Sequence, residues 1–203
     1  MEYIVFDTED TGLSSHDEVF QFAGLLLNRD LRIQRIFNFY CYTQVPITEK
    51  ARQITGMTQT HLMELSNGLY FEDYFYKLDI FRKKSLVWIA YNTAFDTRMI
   101  NGTLTRGGLP IYSFGNPINN LNVNSGIHTF DVMQLISATN NGIKKKLSVA
   151  QLDLGYSSEK LKAMYTKLAK LVNLDTSVME HNALYDAMVT WCLLVKHKKL
   201  CMF

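Results

Sequence analysis

The chain has 203 residues, 47% of them hydrophobic and 12% aromatic, with a net charge of +2. That size and composition suit one globular domain over residues 1–203 and exclude a disordered chain. No stretch approaches the roughly 20 apolar residues that span a bilayer, so no membrane partner is expected; the small net charge argues against a broad basic face and leaves room for a local one.

In chain order, residues 2–8 read as a buried strand. Val19 to Leu27 forms a second and Leu31 to Tyr42 a third, with Asn28-Arg29-Asp30 as the hairpin turn. The amino end enters a strand at once, so no signal peptide is expected. Pro46 and Thr48-Glu49-Lys50 then introduce helical material, and Tyr70 to Lys83 carries apolar residues at helical spacing. Ser85 to Ala90 is a continuous apolar run suited to a central strand, followed by a helix over Thr93 to Arg106. Gly107 to Asn124, rich in Gly, Pro and Asn, is a predicted surface loop. His128 to Phe130 is a short strand, and helices follow over Val132–Thr139, Ser158–Val172 and Ala183–Lys196. Strands first, then strands alternating with helices, predict one mixed α/β domain. Cys41, Cys192 and Cys201 form no CxxC pair, which suggests reduced thiols in a cytoplasmic setting.

The first strand delivers Asp7 and Glu9 one residue apart. Side chains on a strand alternate faces, so the two carboxylates point the same way and repel. A shared hard cation such as Mg²⁺ or Mn²⁺ relieves that repulsion, whereas an acidic turn in water needs no cation at all. Two later segments look alike: Tyr91-Asn92-Thr93-Ala94-Phe95-Asp96 and His181-Asn182-Ala183-Leu184-Tyr185-Asp186. In each, an Asn suited to capping a helix stands four residues before an Asp in the first turns. The positive helix end favours the ionised acid there. Residues five apart in a helix diverge by about 140°. His181 and Asp186 therefore share a site only if His181 precedes the helix, as an Asn182 cap arranges.

These residues resemble the motif set of the DnaQ-like 3′–5′ exonucleases, the His subtype of the DEDD superfamily, in which proofreading exonucleases and RNase T fall. Phe6-Asp7-Thr8-Glu9 matches its first motif, Asn92-Thr93-Ala94-Phe95-Asp96 its second, and His181-Asn182-Ala183-Leu184-Tyr185-Asp186 its third. Ile54-Thr55-Gly56-Met57 is similar to a turn of the same family. Each motif alone is weak, but the four stand in order over residues 1 to about 197. The resemblance implies a ribonuclease H-like fold, a central mixed five-stranded sheet with its first three strands antiparallel and helices around it. It also implies two divalent cations, Mg²⁺ or Mn²⁺. Asp7 would bridge them, Glu9 and Asp186 would hold the first, Asp96 would support the second, and His181 would take a proton from the attacking water. The implied substrate is nucleic acid with a free 3′ end, DNA favoured over RNA, with a polymerase or replication protein as partner. Thr8, Asp10, Thr11, Gly12, Leu13, Met57, Tyr91, Asn92 and Phe95 are the expected substrate contacts, the apolar ones because packing tolerates any base.

Other features have plainer readings. His16, His61, His128 and His197 are expected at the surface or in satisfied core positions, Lys144-Lys145-Lys146 as a solvated helix start, the Tyr-rich segment 70–76 as helix core, and Asp131 as a cap. Asp10 stands where the family usually has Thr, Tyr91 where many members have His, and the stretch between Leu152 and Val178 is longer than usual. A haloacid dehalogenase-type phosphatase would need Asp at position 9 and has no use for His181. A binding module on the same fold would normally have lost one of the five site side chains, and all are present.

Overall fold

The computed structural model describes residues 2–84, 87–114, 127–174 and 181–200. Its sheet has five strands in the order β3-β2-β1-β4-β5: β1 Tyr3–Asp10, β2 Val19–Leu27, β3 Ile33–Tyr40, β4 Val87–Ala90 and β5 His128–Asp131. β1–β2 and β2–β3 pair antiparallel, while β1–β4 and β4–β5 pair parallel. This is the expected mixed α/β sheet.

Alternation along β1 builds two cores. Tyr3 and Val5 join Leu25, Ile89 and helix α8 (Ala183–Lys196) on one face. Ile4 and Phe6 join Phe22, Trp88 and helix α4 (Thr93–Arg106) on the other. All nine residues of β2 are buried, as befits a strand covered on both faces. Full burial of one such large apolar side chain contributes roughly 1.5–3 kcal/mol, so Trp88, Phe6 and Phe22 hold the sheet to its helices. The remaining helices are α1 Glu49–Thr55, α2 Gln59–Ser66, α3 Phe75–Lys84, α5 Val132–Thr139, α6 Leu147–Ala150 and α7 Ser158–Leu171.

Several boundaries move from their predicted places. β3 starts at Ile33, because Leu31 adopts a left-handed backbone (φ 62°) and Asn28 Oδ1 accepts from the Asp30 and Arg32 amides, which extends the turn. β1 runs on to Asp10, with a register shift between Glu9 and Asp10. The predicted helix over 70–83 is a 3-10 turn, Phe71–Tyr74, leading into α3; within it Phe71 is core, whereas Tyr76 is exposed. Of the predicted loop, residues 115–124 lie outside the described residues, as do Ser85 and Leu86 of the fourth strand and Cys201. Among the described residues, no helix is long and apolar enough to cross a membrane.

Candidate active site

Parallel pairing brings the carboxyl ends of β1, β4 and β5 to one edge, where α4 starts directly after β4. β2 runs antiparallel, so its first residues reach that edge too, with Gln21 opposite Glu9. Ligand sites of open α/β sheets sit in this position.

Asp7 and Glu9 meet Asp186 of α8 at the edge: each of the three offers a carboxylate oxygen, and these oxygens lie within 4.8 Å of one another. Burial first, then the neighbouring carboxylates, push the Asp7 and Glu9 carboxyls well above the ordinary range. Three crowded, half-buried oxygen donors have the chemistry of a hard divalent cation site.

Asp96 joins from the opposite face of β1. Its Oδ1 accepts from the Thr8 amide (3.2 Å) and the Thr8 hydroxyl (3.2 Å). Burial raises Asp96 to about 7 although the Thr8 bonds work against the shift. Asp10 shares this face and is buried. One of its oxygens accepts from the same Thr8 hydroxyl (3.1 Å), and the other has no hydrogen-bond partner among the described residues. A hydroxyl carries one proton, so Thr8 serves Asp10 or Asp96 at any instant and not both.

The two look-alike helix starts differ. Asn182 caps α8 as predicted: its Oδ1 accepts from the Leu184 amide (3.1 Å) and its Nδ2 donates to the Tyr40 hydroxyl (3.1 Å). Gln21, buried in β2, accepts from the Ala183 amide (3.2 Å) and donates to Asn38 (2.8 Å). Asn92 is exposed and, among the described residues, makes no capping bond. The Thr93 hydroxyl anchors α4 instead, donating to the Phe130 carbonyl (2.9 Å). The Asn92 cap expected from spacing is therefore corrected. His181 precedes α8 as required, in a left-handed conformation (φ 55°). Its exposed ring lies outside the carboxylate trio and lines a neighbouring cleft with Met57, Thr55, Tyr40 and Leu174.

A larger cleft of about 470 Å³ opens beside the acids, lined by Gly12, Leu13, Lys50, Ile54, Thr55 and Phe95 among others. Leu13 is 62% exposed there, and the Arg98 guanidinium lies over the Phe95 ring at 5.3 Å. Met57 is buried and contacts the second cleft only. Gly12 owes its identity to a close approach: a Cβ would come within 2.6 Å of the Asp17 carboxylate. That carboxylate fixes the loop by accepting from the Ser14 amide and the Thr11 hydroxyl. The hydroxyls of Thr8, Thr11 and Tyr91 are thus engaged inside the protein, Tyr91 donating to the Lys145 carbonyl (2.7 Å). Asp131 caps α5 as predicted.

Sequence reasoning missed Lys50 and Gln21. Gln21 left a signal, as the one polar residue in the apolar run Val19 to Leu27. Lys50 left none beyond its closeness to Ile54-Thr55-Gly56-Met57. In that turn Gly56 ends α1 at φ 70°, a left-handed position that favours glycine.

Residues 4–194 match the sequence profile of the RNase T family, described as Exonuclease. The PolC-type DNA polymerase III of Lactococcus lactis is 30% identical over 110 residues, covering 54% of this chain and 6% of that protein. The Streptococcus thermophilus PolC-type polymerase is 27% identical over 112 residues, 55% of this chain and 7% of that one. Exonuclease I from Methylocaldum szegediense superimposes with a TM-score of 0.66 at 21% identity, covering 98% of this chain and 40% of that one. E. coli exonuclease I in complex with a dT13 oligonucleotide gives 0.67 at 17%, over 97% and 41%. Exonuclease X in complex with 5′ overhanging duplex DNA gives 0.59 at 19%, over 99% and 93%. The chain spans under a tenth of these curated relatives and about two fifths of the exonuclease I chains. The likeness to the solved structures establishes a shared fold, the ribonuclease H-like one.

Proposed function

Because this chain belongs to the exonuclease family, we propose that it hydrolyses phosphodiester bonds at the free 3′ end of nucleic acid, releasing nucleoside 5′-monophosphates with the help of Mg²⁺ or Mn²⁺. The observation that carries this reading is the Asp7–Glu9–Asp186 trio, whose carboxylate oxygens lie within 4.8 Å of one another. Without a cation the Asp7 and Glu9 carboxyls are driven toward protonation by burial and mutual repulsion. Such donors fit a divalent ion, and Asp96, oriented by Thr8, fits a supporting place for a second. Two bound ions would supply an activated water and offset the charge on the attacking and leaving oxygens.

The chain's own residues do the rest. Asp7, Glu9 and Asp186 would hold a divalent ion, and Asp96 would support a second. His181 accepts the proton of the attacking water from its position ahead of α8. Leu13, Ile54 and Phe95 form apolar walls against which any terminal base packs. Backbone around Asp10 to Gly12 meets the terminal sugar. DNA is the favoured polymer, in single-stranded or frayed form, since the similar proteins include DNA polymerases and exonucleases in complex with DNA. The likeness to PolC supports a polymerase as partner, and the buried thiols of Cys41 and Cys192 suit a cytoplasmic setting.

The test is digestion of matched DNA and RNA oligonucleotides, labelled at either end, with Mg²⁺, Mn²⁺ or chelator. Stepwise release of 5′-monophosphates from the 3′ end, faster on DNA and absent with chelator, is expected. Failure of the wild-type protein to release nucleotides, or equal release by Asp186→Asn, overturns the proposal.

A further inference from the structure

The Lys144–Lys146 run, read from sequence as a solvated helix start, is anchored to the protein through its middle residue. The Lys145 carbonyl accepts from the buried Tyr91 hydroxyl at 2.7 Å. The Lys145 side chain pairs with the partly exposed Asp153, at 2.9 and 3.2 Å. Asp153 belongs to a 3-10 turn, Gln151–Leu154, whose Gln151 accepts from Tyr185 of α8, one residue before Asp186. The run is thereby tied both to the end of β4 and to the helix that carries a site acid. A run of charges that only needs water requires no such ties.

Lys144 and Lys146, on either side of the pinned residue, are both exposed. The Tyr91 contact sets the run beside the end of β4, at the edge where the acids gather. Burial pushes the carboxyl of Asp131, at the end of β5, up, and the Lys144 ammonium works against that push. β5 is two strands from β1, roughly 10 Å at the usual strand spacing. At the roughly 3.4 Å axial rise per nucleotide of a B-form strand, that separation lies beyond the terminal nucleotide.

Charge gives the pair a task. The edge gathers Asp7, Glu9, Asp10, Asp96, Asp131 and Asp186, and its natural visitor is a polyanion. Two divalent ions would offset the acids at the reacting phosphate only. Phosphates further along the strand would still meet an acidic edge, unless cations are fixed there.

Resting on the exonuclease reading, we propose that Lys144 and Lys146, held in place by Tyr91 and Asp153, grip backbone phosphates of the nucleic-acid strand a few nucleotides from its 3′ end. Their contact is to backbone and independent of sequence. It affects long substrates and leaves a substrate of one nucleotide untouched.

The experiment compares wild type with Lys144→Gln/Lys146→Gln on a 20-residue oligo(dT) and on the p-nitrophenyl ester of thymidine 5′-monophosphate. On the oligonucleotide KM should rise about tenfold, and the slope of log KM against log salt should fall by about 1.4, near 0.7 for each lost contact. On the ester both constants should hold. Unchanged KM and salt slope on the oligonucleotide overturn the proposal, and so does an equal loss on the ester, which would locate the damage in the site itself. If the wild-type protein cleaves neither substrate, the exonuclease reading falls, and anisotropy of the labelled oligonucleotide without metal decides the rest. Weaker binding by the double variant then upholds the surface, and equal binding overturns it.

Discussion

The two helix starts that carry Asp96 and Asp186 are anchored differently. Asp96 is held directly: the Thr8 amide donates to one of its oxygens, which shares the Thr8 hydroxyl with Asp10, and the Asn92 ahead of it faces water. Asp186 is placed through its helix, whose first turn is fixed by Asn182, Gln21 and Tyr40 from two neighbouring strands. Hydrogen bonds aimed at a carboxylate fix its orientation and occupy its lone pairs. A frame around the helix instead delivers the carboxylate to its place against Asp7 and Glu9. One hexapeptide spacing thus yields two differently anchored helix starts, one bonded at its acid by a neighbouring strand and one framed at its cap.

Substitutions at both ends break that contrast or sharpen it. The largest effect is expected from Asp7→Asn, which should abolish nucleotide release. It should also remove the rise in Tm expected of the wild type with Mn²⁺, as linkage requires of a lost binding site. A retained Mn²⁺ shift by calorimetry would count against the trio as ligands. His181→Ala should lower kcat by about 10²–10⁴-fold, the usual scale for a proton-transfer group, with Tm little changed because the ring is exposed. A rise in KM alone would remove it from the proton step. Thr8→Val should weaken Mn²⁺ affinity by about 10–100-fold, the usual cost of a lost orienting partner, as read by calorimetric titration. Asn182→Ala should cost about 1–2 kcal/mol of stability through its lost cap, whereas Asn92→Ala should stay within about 0.5 kcal/mol. Equal losses in denaturant melts would erase the contrast.

The acids also make metal-free stability depend on pH. Asp96 is raised from its ordinary 3.8 to about 7 by burial, and Asp7 and Glu9 shift in the same direction. Between those values the folded chain keeps protons that the unfolded chain releases. Stability in chelator should therefore fall as pH climbs from about 4 to about 7. Asp96→Asn should flatten part of that slope in thermal melts, and an unchanged slope would assign it to other groups.

Sequence patterns were legible wherever the governing interactions are local. Alternation along β1, the apolar run of β2, the α5 and α8 boundaries and the Asn182 cap all follow from neighbours a few residues apart. What escaped was set by distant partners. Gln21 looked like a flaw in an apolar strand, and its meaning lies in the Ala183 amide 162 residues away. Tyr91 was expected to meet substrate, yet its hydroxyl reaches Lys145, 54 residues on. The Asn92 cap was misread because a competing hydroxyl, that of Thr93, had a strand carbonyl within reach. Asp10 is buried beside Thr8 and Asp96, and nothing in the structure explains why an acid occupies that position.

The left-handed backbone of His181 bears on how this protein can change over generations. At φ 55° an Asn or Gly is at least as comfortable as a His. Drift at this one position can therefore remove the imidazole while sparing or even relaxing the fold. On the proposed exonuclease reading, loss of the imidazole at residue 181 would leave an inert binder of nucleic-acid ends at no cost to the backbone.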